Sequence, residues 1–165
     1  MKVLEDKKWI QGKWIKNQEC SDSELRKIMD VFTDLLQRKK TMVCSYPSQS
    51  GMIISKAVYI NFVENGKEIW INTDESAEFC QYLKSNKQVT GFIFDEESVC
   101  GVMLQGQAEF EQREAYIRKS WRSELNEWYP EGMFGGDFKV IHFTINRIKV
   151  FFDSRETFIQ LGQEA

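Results

Sequence analysis

A chain of 165 residues, 42% hydrophobic and 28% charged, has the make-up of one globular domain and is too apolar to stay disordered. Its net charge of -3 leaves no basic footprint for nucleic acid, and four cysteines without CxxC spacing beside a single histidine exclude the common zinc motifs. With no apolar run of roughly 18 residues and no signal-like N-terminus, the chain is expected to be cytoplasmic, with free thiols and neither membrane nor nucleic acid as partner.

Residues 1–20 are polar, with Trp9, Ile10, Trp14 and Ile15 spaced through them. They read as an N-terminal arm laid over the body, and residues 21–165 as the domain itself. Ser21 and Glu24 stand at capping-box spacing. Leu25, Ile28, Met29, Phe32, Leu35 and Leu36 then recur with helical period, which predicts an amphipathic helix over 24–38. Arg38-Lys39-Lys40 suits its C-terminal dipole.

Residues 41–46 read as a strand, and 47–51 (PSQSG) as a turn. Asn65-Gly66 sits between two alternating runs, a strong hairpin signal because a type I′ turn needs positive φ twice. It predicts strands over 52–63 and 67–72. The pleat then lines up Met52, Ile54, Lys56, Val58, Ile60 and Phe62 on one face. The lysine is the anomaly of that row, since a buried ammonium is costly unless paired. Two readings stand: Lys56 is paired with a carboxylate such as Glu109 or snorkels to the rim, or it faces an anion.

Thr73-Asp74-Glu75 has N-cap chemistry and predicts a short helix over 75–85, with Phe79, Tyr82 and Leu83 inward. Strands follow over 87–95 and 99–110, the second alternating Cys100, Val102, Leu104, Gly106, Ala108 and Phe110 on one face. Gly91, Gly101 and Gly106 inside strands mark bulges or close backbone approach. A helix is predicted over 111–127, with Ile117, Trp121, Leu125 and Trp128 on its inner side. Pro130, Gly132, Gly135 and Gly136 end it. A last hairpin is predicted from 138–145 and 148–152 across Asn146-Arg147. His142 lies mid-strand as a core or interface residue. Seven β segments and three helices, mostly joined by short turns, indicate a mainly β antiparallel barrel with flanking helices.

The order of these elements, with the strings GMIISKAV, INTDES, SNKQV and LQGQAEF, resembles the FMN-binding split barrels related to pyridoxamine 5′-phosphate oxidase. SWRSELNEWYPEG and DFKVIHFTINRIKVFFDS are similar to that family's general stress protein branch. The resemblance covers about residues 24–154. It implies a six-stranded antiparallel split β-barrel with flanking helices, and a homodimer holding FMN at the subunit interface. A basic residue on the family's second strand holds the flavin phosphate, which places Ser55, Lys56 and Ala57 at the cofactor. Residues after the third strand line the flavin, which adds Ile71, Asn72 and Thr73.

The match also departs from the family pattern. That pattern puts a Ser four residues and a Lys six residues beyond the helix-opening Thr, where this chain has Ala77 and Phe79. Ser76 is the nearest substitute hydroxyl. FMN is therefore expected to bind weakly, at partial occupancy. The function implied is an FMN-binding protein, either a flavin-dependent oxidoreductase or a stress-response protein. The alternative is a non-enzymatic split barrel that has lost flavin or binds another planar anionic small molecule. No residue is assigned a catalytic role. Trp121 and Trp128 are core or interface residues first and flavin contacts second.

Overall fold

A computed structural model of the chain describes residues 1–17, 19–48 and 50–162. Helix α1 (Asp22–Arg38) begins at the expected capping box, with the Ser21 side chain accepting from the Glu24 N–H and Glu24 reaching back to the Ser21 N–H. Its Ile28, Phe32, Leu35 and Leu36 are buried against the barrel. Six strands form that barrel: β3 (Thr41–Pro47), β4 (Ile53–Glu64), β5 (Glu68–Asp74), β6 (Gln88–Asp95), β7 (Cys100–Phe110) and β8 (Phe138–Phe152). The hydrogen-bonded order is β8-β5-β4-β3-β6-β7, and pairing of β7 with β8 closes the ring. Every pairing is antiparallel.

Asn65 and Gly66 both take positive φ, 52° and 66°, so the β4–β5 turn forms as its sequence requires. One face of β4 breaks, however. The β4–β5 register slips between Ile60 and Phe62, so Asn61 is an extra residue and Phe62 changes face. Phe62 leaves the row headed by Ile60 and stacks on Trp70 at 4.7 Å, outside the barrel.

β8 corrects the expected final hairpin. Asn146-Arg147 does not turn: the β7–β8 register shifts between Gln105 and Gly106, leaving Asn146 as a bulge inside one 15-residue strand. A Cβ on Gly106 would lie 1.9 Å from the Thr144 carbonyl oxygen, so only glycine allows the two strands to cross so closely there. The real turn comes at Asp153-Ser154, with φ of 47° and 54°, and leads into β9 (Arg155–Gln160) along the second half of β8.

The N-terminal segment is itself a hairpin, β1 (Lys2–Ile10) and β2 (Lys13–Lys16), turning at Gln11-Gly12. β1 pairs with β9, so the first sixteen residues extend the sheet instead of lying across it. Asp6 of β1 is buried. Its carboxylate accepts from Arg155 Nε and Nη2 at 2.7 and 2.6 Å, from Thr157 Oγ1 at 2.8 Å and from Asn17 Nδ2 at 2.8 Å.

Two helical expectations are also revised. β5 runs on through Thr73 and Asp74, which pair with Lys139 and Phe138 of β8, and a turn over residues 75–77 follows. Helix α2 therefore covers only Glu78–Leu83, with Ala77 as an N-cap that makes no side-chain bond. The long helix expected over 111–127 is two pieces, α3 (Glu114–Ser120) and a 3-10 helix (Ser123–Glu127), separated by extended Trp121 and Arg122. Ile117, Trp121 and Leu125 still share one apolar cluster with Trp70 and Phe138, held there by packing instead of by helical continuity. Trp128 is 78% exposed and belongs to neither core.

Candidate functional site

Lys56 stands in β4 opposite Cys44 of β3, on the interior row between Ile54 and Val58, and is half-buried. The carboxylate once offered as its partner is occupied elsewhere: Glu109 accepts from Lys87 at 3.0 Å. Among the described residues Lys56 makes no ion pair. Its charge nevertheless acts on its surroundings. Burial pushes the Cys44 thiol up to about 12, with Lys56 opposing. Burial, then Glu75 and Asp74, push Cys80 up to about 11 against Lys139 and Lys56. Both thiols are protonated at neutral pH and behave as small buried apolar groups, not nucleophiles.

The other expected residues divide between faces. Ile71 and Thr73 face inward with Lys56; Thr73 is buried and its Oγ1 has no hydrogen-bond partner. Ser55 and Ala57 alternate to the outer face of β4, where the Ser55 hydroxyl lies 2.9 Å from that of Ser45. Asn72 shares the outer face of β5 with Trp70; its buried Oδ1 is unpartnered while the side chain reaches Tyr129. Ser76 is exposed and donates to Asp74 Oδ1 at 2.6 Å. The barrel thus brings Lys56, Ile71 and Thr73 together on the inside and leaves Ser55, Ala57 and Asn72 outside.

Around α2 the charges are mixed. Glu75 lies 3.4 Å from Lys84 and 3.3 Å from Lys139, so neither lysine is left over to replace the cation that the family pattern puts at Phe79. Phe79 is fully buried, its ring 4.9 Å from that of Tyr46, and so belongs to the core. His142 stacks on Trp70 at 4.5 Å, with Nε2 3.3 Å from Glu68 Oε1. Beneath it Glu111 is buried, accepting from Trp70 Nε1 at 2.8 Å and from the Arg113 backbone and guanidinium. These groups carry packing and charge balance rather than an open reaction centre.

Two surface features escaped the sequence reading. Val43, Tyr59, Phe92 and Phe94 project from neighbouring strands β4, β3 and β6 as an exposed apolar wall, with Val43 directly opposite Phe92. Beside it lies an open cleft of about 600 Å³ whose polar lining includes Thr90, Gln105, Gln107, Arg147 and Gln160. The alternation of Gln105 and Gln107 around Gly106 was its only local sign, because the strands that complete it are distant in sequence.

Among the described residues, a closed six-stranded antiparallel barrel with added strands and three α-helices defines a split barrel. The chain belongs to the family described as pyridoxamine 5′-phosphate oxidase like, whose model matches residues 25–163. A general stress protein 26-related protein of Clostridium acetobutylicum shares the fold at 20% identity and TM-score 0.73, over 82% of this chain and 95% of that one. The general stress FMN/FAD-binding protein of Xanthomonas citri does so at 14% identity and TM-score 0.64, over 85% and 97%. A heme-binding protein of Mycobacterium smegmatis superposes at 14% identity and TM-score 0.67, over 81% of this chain but 57% of its own. No curated protein matches the chain.

Proposed function

We propose that this protein binds FMN weakly, as a homodimer in the cytoplasm, with the phosphate at Lys56, Ile71 and Thr73; Ser55, Ala57 and Asn72, on the opposite face, and Ser76, bonded to Asp74, are left out of that phosphate site. The observation that carries the reading is Lys56: a half-buried cation in an apolar row, without an acidic partner among the described residues, on the same inner side as the unpartnered Thr73 hydroxyl. A phosphate dianion satisfies both. The exposed wall around Val43 and Phe92 supports the dimer, because paired copies bury apolar surface that one copy leaves in water. Bound flavin would supply the redox chemistry of an oxidoreductase, and the chain's own residues position it. Isothermal titration of FMN tests this, with micromolar affinity expected. Absence of heat and of flavin fluorescence quenching at saturating FMN would overturn it. Sedimentation equilibrium giving a monomer mass would remove the dimer.

A second reading has its own support. Phe79 fills the core where the family pattern carries a cation, and Asp74, Glu75 and Glu78 surround the start of α2. A non-enzymatic barrel holding another planar anion, with heme as the example set by the mycobacterial neighbour, fits those features. Competitive titration of hemin against FMN separates the two readings. Restoring a cation by Phe79→Lys is not a usable test, since it would bury an ammonium in the core.

A further inference from the structure

The N-terminal hairpin has a composition unlike the rest of the chain. Residues 7–16, KKWIQGKWIK, carry four lysines and no acid in a protein of net charge -3. β1 is held by β9 only as far as Lys8, with one further bond from the Trp9 N–H to the Ser154 carbonyl. Beyond that the tip meets the barrel through Trp14, whose ring lies edge-on to Phe151 of β8 at 6.4 Å. Trp9 and Trp14 pair across it on one face, 47% and 43% exposed; Ile10 and Ile15 lie on the other, 47% and 49% exposed.

From this we propose that the hairpin tip docks onto an anionic lipid bilayer surface. The charge pattern is the first argument. Lys7 and Lys16 sit directly opposite each other, a like-charge pair that Glu5, 2.9 Å from Lys7, offsets with one negative charge against two positive ones. Glu5 and Glu24 take up Lys7 and Lys8 at 2.9 and 3.0 Å, but Lys13 and Lys16 make no ion pair among the described residues. Lysines close to a headgroup layer gain attraction from anionic lipid.

The apolar pattern is the second argument. A strand that docks on a protein is apolar on one face and polar on the other. Here both faces of the tip combine large apolar side chains with lysine, which suits a medium that surrounds the tip. Tryptophan favours the membrane–water boundary, and lysine stems reach past apolar surface to keep the ammonium wet. Self-association through β2 is opposed by Lys13 and Lys16 on that free edge strand. The sequence reading excluded a membrane partner because nothing could span; this tip lies on the surface. Among the described residues no helix is long and apolar enough to cross. The proposal is independent of the cofactor reading.

Flotation with equimolar phosphatidylcholine–phosphatidylglycerol vesicles, and with phosphatidylcholine alone, tests it on the full chain. Binding is expected to the anionic vesicles only, weakening with salt. Lys13→Glu with Lys16→Glu should lower it about tenfold or more. Lys27→Glu with Lys40→Glu, two exposed sites outside the hairpin making the same change in net charge, should leave it intact. Ile10→Ser with Ile15→Ser should also lower it while thermal melts stay unchanged. No flotation, equal flotation on neutral vesicles, or an equal response to both lysine pairs would overturn the proposal. So would sedimentation showing that Ile10→Ser with Ile15→Ser splits an oligomer, because the tip would then be a contact between copies.

Discussion

Arg155 and Lys56 are two cations set into the same sheet system, and their surroundings differ in kind. Arg155 is buried and fully engaged: a bidentate pair to Asp6, a bond from Nη1 to Glu24 at 2.7 Å, and Cys20 Sγ 3.2 Å from Nη2. Its guanidinium joins β1, β9 and the start of α1. Lys56 is half-buried in an apolar row and has no acid partner among the described residues. A cation that exists to hold a fold together comes with its counter-charges in place. One without them is either rim-exposed or awaiting an anion, and a half-buried place on the inner row of β4 favours the second.

Removing each charge should separate the two roles, and the largest effect is expected at Arg155. Arg155→Met strands a buried Asp6 carboxylate that three donors now share, which costs about 3–5 kcal/mol. Burial pushes the Asp6 carboxyl up, but its bonds from Arg155, Asn17 and Thr157 outweigh that and hold it below the usual carboxylate range. Urea unfolding should show the loss in midpoint. The double change Arg155→Met with Asp6→Leu should recover much of it, because no charge is then stranded. An additive double mutant would break the comparison.

Glu111 is a carboxylate in the same position as Asp6, tied to Arg113 and Trp70 in the outer cluster. Burial pushes it up, yet the bonds from Arg113 and Trp70 bring it from 4.5 down to about 2. A depressed folded value means the contribution is complete above about pH 4.5 and is lost as pH falls toward 2. The shift corresponds to about 3 kcal/mol. Urea midpoints measured across that window should fall steeply for the parent. Glu111→Gln should start lower and show a shallower slope.

Local signals in the sequence were read correctly where local chemistry decides the structure. Asn65-Gly66 and the Ser21–Glu24 box each satisfy their own backbone within a few residues. Ser21→Ala, which removes one of those bonds, should cost about 1 kcal/mol in a thermal melt. Asn146-Arg147 misled because turn-forming residues also suit a bulge, and the strand crossing at Gly106 that selects the bulge lies some forty residues earlier. The Arg155–Asp6 pair spans 149 residues, so no local pattern could have shown that residues 1–16 form part of the sheet. At the candidate site, Lys56 was visible as a break in an apolar row. The pairing of Thr73 with Lys139, which keeps Thr73 in a strand instead of at a helix start, was not.

The smallest expected effect on stability is at Lys56, and the comparison depends on it. Lys56→Met keeps the length of the side chain and removes the charge from an apolar row that has no counter-ion among the described residues. With no carboxylate left behind, the ligand-free protein should change by less than about 1 kcal/mol, or gain stability. Saturating FMN should raise the melting temperature of the parent, since a ligand that binds only the folded state stabilises it in proportion to ln(1 + [L]/Kd). That rise should vanish in Lys56→Met. A loss near that of Arg155→Met in the absence of FMN would show that Lys56 is structural after all. An undiminished rise with FMN would place the phosphate elsewhere, and the polar cleft lined by Gln105, Gln107 and Arg147 would be the next site to vary.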